Sequence, residues 1–284
     1  MQDSTRRYQE SGNHGGVMRA LFAVLIYGSF WGILEATAGA VLHLFMVPYA
    51  GAVMANVGFF VMAAAASSTV RPKYLPLMGL VAALFKVMNA FILAVPLWER
   101  MIVNPAVAII LESLAFTLVL GLLGKPVIGA GRFGSPFRPY RTAADTASNL
   151  AGFAIGGAAA MILCQAATAL VFFLVFKRGP WKVATLTELG RFIAVQGGAA
   201  ALLCLAVCPA GALLGRALSI ILALGAGSSL PEGSPPSGRA LFSAGPPDSR
   251  PRVRGLLVRY VCASLVVAAC WAAAAWLRVL GIAG

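Results

Sequence analysis

The sequence predicts an all-α fold, a polytopic membrane helix bundle of about six to seven transmembrane helices. Three observations predict it. Of 284 residues, 60% are hydrophobic and only 11% charged, whereas a water-soluble domain carries about 25% charged residues. Apolar runs of the length a helix needs to cross a hydrocarbon core of roughly 30 Å recur along the chain. These runs lack the polar–apolar alternation of a transmembrane barrel, so their backbone groups, deprived of water, must pair within helices.

The elements follow in order. Residues 1–17 form a polar cytoplasmic N-terminal tail. Arg6-Arg7 suggests a twin-arginine signal, with Ala36-Thr37-Ala38 as the cleavage-like site. The apolar run, however, starts only after Gly16 and is interrupted by Arg19, so the first helix is expected to stay. A bundle over 18–227 contains spans at roughly 18–46, 51–70, 75–97, 104–124, 147–176 and 192–215. Pro48, Tyr49 and Gly51 separate the first pair, Arg71-Pro72-Lys73 the next, and Trp98-Glu99-Arg100 the third from the fourth, which opens at Asn104-Pro105. Residues 217–227 either lengthen a tilted sixth helix or lie at the interface. A basic linker rich in Pro, Gly and Ser covers 228–254, and a C-terminal transmembrane helix lies in 255–284.

The net charge of +13 sits between apolar runs with no base-stacking motif beside it. It indicates orientation and anionic lipid headgroups as partners, not nucleic acid. Arg6, Arg7 and Arg19, then Arg71 and Lys73, then Lys125, Arg132, Arg138 and Arg141 fall on alternate loops, which places the N-terminus in the cytoplasm of a cell with the chain in its inner membrane. The loop 177–191, with Lys177, Arg178, Lys182 and Arg191, breaks this alternation. Either the helix count shifts there, or the segment lies along the interface anchored by Trp181. All five cysteines, Cys164, Cys204, Cys208, Cys262 and Cys270, fall in or near apolar spans, as buried thiols do.

Few charges enter the spans, and those few are informative. Glu35 and Glu112 are the acids inside spans, and Lys86 is the base nearest a span centre. A charge at mid-bilayer costs about 2.5–3.5 kcal/mol on insertion scales, so such residues face the bundle interior and pair. At 100° per residue, Gly28, Gly32, Glu35, Gly39 and His43 share a sector of about 80° on the first helix, with Glu35 and His43 about 12 Å apart along the axis. With Asn56, Lys86, Asn89, Asn104 and Glu112 they outline a polar pocket open to the outside, among helices one to four. The competing reading is a structural Lys–Glu pair that fixes helix packing. His43 has no second His or Cys at ligand spacing, so a metal remains unassigned. Cys204 and Cys208, one turn apart, suit either two small buried thiols or a soft metal. Gln165 and Gln196 are expected to hydrogen-bond between helices. No catalytic or nucleotide-binding motif is found, and no cofactor is expected.

The stripe Gly28, Gly32, Ala36 and Ala40, the outward polar pocket, the short loops and the segment NPAVAIILES together resemble the substrate-binding S-component of energy-coupling factor transporters, over residues 18–176. That resemblance implies capture of a vitamin, a vitamin precursor or a metal ion from outside. It also implies docking through the stripe onto a coupling membrane protein driven by ATPase subunits, with Glu35, Lys86, Asn89 and Glu112 in the pocket. The expectation is therefore a non-enzymatic transport protein, a solute-binding or permease subunit for a small polar solute or ion. An ion-coupled carrier, a lipid-modifying enzyme and a non-catalytic assembly subunit are the alternatives.

Overall fold

In the computed structural model the described backbone comprises residues 2–45, 49–68, 70–127, 143–176 and 185–225. It is helical, with no strand among these residues: α1 Gln2–Leu44, α2 Ala50–Ser68, α3 Leu75–Leu93, α4 Arg100–Val127, α5 Ala143–Val171, α6 Leu186–Phe192 and α7 Gly198–Gly225. A π-helical turn, Phe172–Phe176, ends α5, and another, Ile193–Gly197, joins α6 to α7. Six helices among the described residues are long and apolar enough to cross a membrane, the last running over Leu186–Ile221. The fold is thus the expected helical membrane bundle. The linker 228–254, the span in 255–284 with Cys262 and Cys270, and the basic residues Arg132, Arg138, Arg141, Lys177, Arg178 and Lys182 lie outside the described residues.

Three element ends differ from where hydropathy put them, and local chemistry sets two of these. Helix α1 starts at Gln2, so the polar tail is a helical extension of the first span. Helix α4 starts at Arg100, before Asn104-Pro105, because the Glu99 carboxylate accepts the Arg100 N–H at 3.0 Å while the Glu99 carbonyl accepts those of Ile102 and Val103. The sixth span starts at Leu186 because Thr185 and Glu188 form a capping box: Thr185 Oγ1 accepts the Glu188 N–H and Glu188 Oε2 accepts the Thr185 N–H. Residues 217–225 lengthen that span, as α7 passes through Pro209 and Arg216 without ending. Two tight reversals need left-handed backbone at non-glycine residues, Tyr49 (φ 61°) before α2 and Ala94 (φ 51°) at the end of α3.

Neighbours in the bundle are α1–α3, α3–α4, α4–α5, α5–α7, α7–α2 and α2–α1, a closed ring, and α2 also reaches α4 and α5. Helix α2 is the most enclosed of the spans. Its small residues permit this. Gly211 packs on the Phe60 carbonyl and Gly215 on the Ala64 carbonyl, so α2 and α7 run parallel in near backbone contact. Ser67 Oγ donates to the Ala212 carbonyl at 2.9 Å across the same seam. Larger side chains fill the centre, including Phe59 and Phe116 edge to face with centroids 5.1 Å apart. Outward-facing Phe30, Leu84, Phe91, Leu122 and Ile155 are exposed and apolar, as a lipid-facing surface requires.

Candidate functional site

The α1–α3 seam positions the site. Gly28 meets Val81 and the Met78 carbonyl, and a methyl group built on Gly32 would stand 2.6 Å from Phe85 Cβ. This close approach seats Lys86, one residue past Phe85, against the next turn of α1. Lys86 Nζ donates to the Glu35 backbone carbonyl at 3.5 Å. At Gly39, a missing Cβ would find Glu35 Oε2 at 3.4 Å and Lys86 Nζ at 4.0 Å, so both groups border the same glycine. The small-residue stripe is consumed here: at Gly28 and Gly32 it is the packing surface for α3. Ala36 is half-buried, and the side chain of Ala40 lies outside those described.

Two turns away along α1, a second glycine arranges the rest. A Cβ at Gly58 of α2 would lie 2.6 Å from Trp31 Cζ2 and 2.9 Å from Glu112 Oε2. Only glycine lets the indole from α1 and the carboxylate from α4 meet in this notch. Glu35 lies between the two levels, with Lys86 as its opposite charge and Glu112 as a like charge. Glu35 and Lys86 are each 5% exposed, Glu112 4% and Trp31 0%. Among the described residues Trp31 Nε1 and Glu112 Oε2 have no hydrogen-bond partner, although an unpaired buried polar group costs about 1–3 kcal/mol.

The other sequence candidates are distributed around this core. Asn56 is buried but turned toward α7: its Nδ2 donates to the Ala52 carbonyl at 2.9 Å and to the Ala200 carbonyl at 3.2 Å, leaving Oδ1 unpartnered. It thus faces away from the α1 side of α2, where Met54 and Gly58 look toward Gly39 and Trp31. Asn89 and Asn104 are half-buried. His43 is on α1, with its side chain outside those described. Gln165 bonds within its own helix, to Met161 Sδ at 3.9 Å, while its side chain packs on Gly197. Cys204 and Cys208 are buried with their sulfurs 3.3 Å apart against Gly157. Among the described residues no three His, Cys, Asp or Glu side chains are grouped to hold a metal ion.

The residues that sequence reasoning missed are Trp31 and Gly58. Trp31 precedes Glu35 by four positions, only about 40° away around the helix, so its place on the polar face was available from spacing alone. Gly58 carries no such mark, since its role depends on which helices flank α2. No family model, curated protein or solved structure matches the chain.

Proposed function

We propose that this membrane protein is a transport protein, the solute-binding or permease subunit of an uptake system, and that it binds a small polar solute or ion inside its helix bundle. One observation carries the reading. Three ionisable side chains from three helices, Glu35, Lys86 and Glu112, converge in the interior beside two buried polar atoms that no group among the described residues satisfies, Trp31 Nε1 and Glu112 Oε2. A purely structural ion pair is retained when its members satisfy one another; here the surplus carboxylate oxygen and indole N–H call for a further partner. A lipid-modifying enzyme needs its acid or base on a groove open to lipid, whereas these groups sit within the ring of helices.

The N-terminus would face the cytoplasm of a cell whose inner membrane holds the chain, and the solute would enter from the opposite side. Energy would come from a separate coupling protein and its ATPase subunits, as in the S-components that the sequence resembles. Such a partner would dock elsewhere than on Gly28 and Gly32, which α3 covers. The test is native mass spectrometry of the purified protein in search of a co-purifying small molecule. A ligand is expected with the wild type, and its occupancy should change at least about tenfold in Lys86→Ala, the equivalent of about 1.4 kcal/mol, falling for an anionic solute and rising for a cationic one. A protein that carries no ligand under any condition, yet purifies in a stable complex, would be an assembly subunit instead.

A further inference from the structure

The charges within the site do not balance, and the geometry shows where the imbalance lies. Among the described residues the buried side chains that can carry a full charge are Glu35, Lys86 and Glu112, two acids against one base. Lys86 is committed to the Glu35 end: its Nζ bonds the Glu35 carbonyl and borders Gly39 together with Glu35 Oε2. The Glu112 carboxylate sits instead at Gly58, against the indole of Trp31, with Oε2 unpartnered. A carboxylate in an apolar interior keeps its charge only beside a compensating positive charge, and otherwise takes up a proton. The Trp31 N–H, also without a partner among the described residues, is free to donate to an acceptor such as a water oxygen or a hydroxyl.

We infer that Glu112 and Trp31, which both border Gly58, form a binding site for a singly charged cation, either a small inorganic ion carrying a water or a protonated amine bearing a hydrogen-bond acceptor. This rests on the transport reading and deepens it. The same two acids and one base that suit a small solute favour a cation over an anion, and they place it at Glu112, not at Lys86. The occupant is small, because Gly58, Trp31 and Glu112 are already in close packing.

The test measures thermal unfolding of the full-length protein in detergent at fixed pH and ionic strength, with chloride salts of sodium, potassium, ethanolammonium or N-methylglucamine. Sodium, potassium or ethanolammonium should raise the midpoint saturably, by about 5 °C at a hundredfold excess over Kd, while the bulky N-methylglucamine does not. An effect of the metal ions identifies an inorganic ion, and one confined to ethanolammonium identifies an amine. Glu112→Gln should abolish the shift. Should that variant fail to fold, Glu112→Asp keeps the charge while withdrawing the oxygen by one carbon–carbon bond, and should weaken cation binding about tenfold. Absence of any shift in the wild type, or a shift unchanged in Glu112→Gln or Glu112→Asp, overturns the inference; a bound proton would give that first result. Failure here leaves solute capture intact, since that is read separately by mass spectrometry, and absence of a co-purifying solute leaves the cation titration intact.

Discussion

Lys86 Nζ lies 3.5 Å from the backbone carbonyl oxygen of Glu35, so the one buried lysine among the described residues grips the α1 main chain at the residue whose charge it opposes. Removing only one member of such a pair strands the other. Lys86→Met is therefore expected to destabilise the protein by about 3–5 kcal/mol, and Lys86→Met with Glu35→Gln to recover most of that loss. Chemical or thermal unfolding of the four proteins of this double-mutant cycle in one detergent reads the coupling. Additive effects would mean that the two charges are independent.

The α2–α7 seam predicts a contrast among glycines. Alanine at Gly211 or Gly215 would press a methyl group into the Phe60 or Ala64 carbonyl, which is backbone and cannot swing aside. Each substitution should cost about 1–3 kcal/mol. Gly121 faces open space, so Gly121→Ala should be neutral or stabilising by up to about 1 kcal/mol. Unfolding midpoints of the three variants give the comparison, and equal effects at all three positions would contradict the close seam.

Ala94 ends α3 with φ 51° and ψ 40°, a conformation that costs a residue with a Cβ about 1 kcal/mol and glycine almost nothing. Ala94→Gly should raise stability by about that amount and the midpoint by about 2–4 °C. A loss of stability would show that the left-handed cap is not the ground state.

Asn56 ties α2 to α7 through the Ala200 carbonyl. Asn56→Leu should lose about 1 kcal/mol, the usual scale for interhelical hydrogen bonds in membranes, while solute occupancy in the mass-spectrometric assay stays at the wild-type level. Loss of the solute with stability unchanged would return Asn56 to the pocket that its sequence position suggested.

That last case shows what a sequence can and cannot disclose here. Glu35, Lys86 and Glu112 were legible because a charge in an apolar run is an outlier that must find protein neighbours, and the structure brings all three inside. The first six spans were legible from run length. Helix starts were displaced where side-chain caps at Glu99 and Thr185, not hydropathy, decide the boundary. Asn56 is set apart from the charges for a geometric reason: the face of α2 that it occupies is defined by α7, about 150 residues later in the chain, and small residues that allow helix pairing do not name their partner. Trp31 was passed over because an aromatic residue in a span reads equally well as lipid-facing. The π-helical turns at Phe172–Phe176 and Ile193–Gly197 carry no sequence signal at all.

The closed order of helices bears on how the chain is made. Helix α2 leaves the ribosome second, yet the neighbour that covers most of it is α7, which ends at Gly225. During synthesis, α1 to α5 would form an open arc, with the Ser67 hydroxyl still lacking its cross-helix acceptor and the Asn56 amide its second one. Assembly in the membrane is then completed after translation of the last described helix, and truncation before residue 198 should leave an insertion intermediate subject to quality-control proteolysis, not a smaller closed bundle.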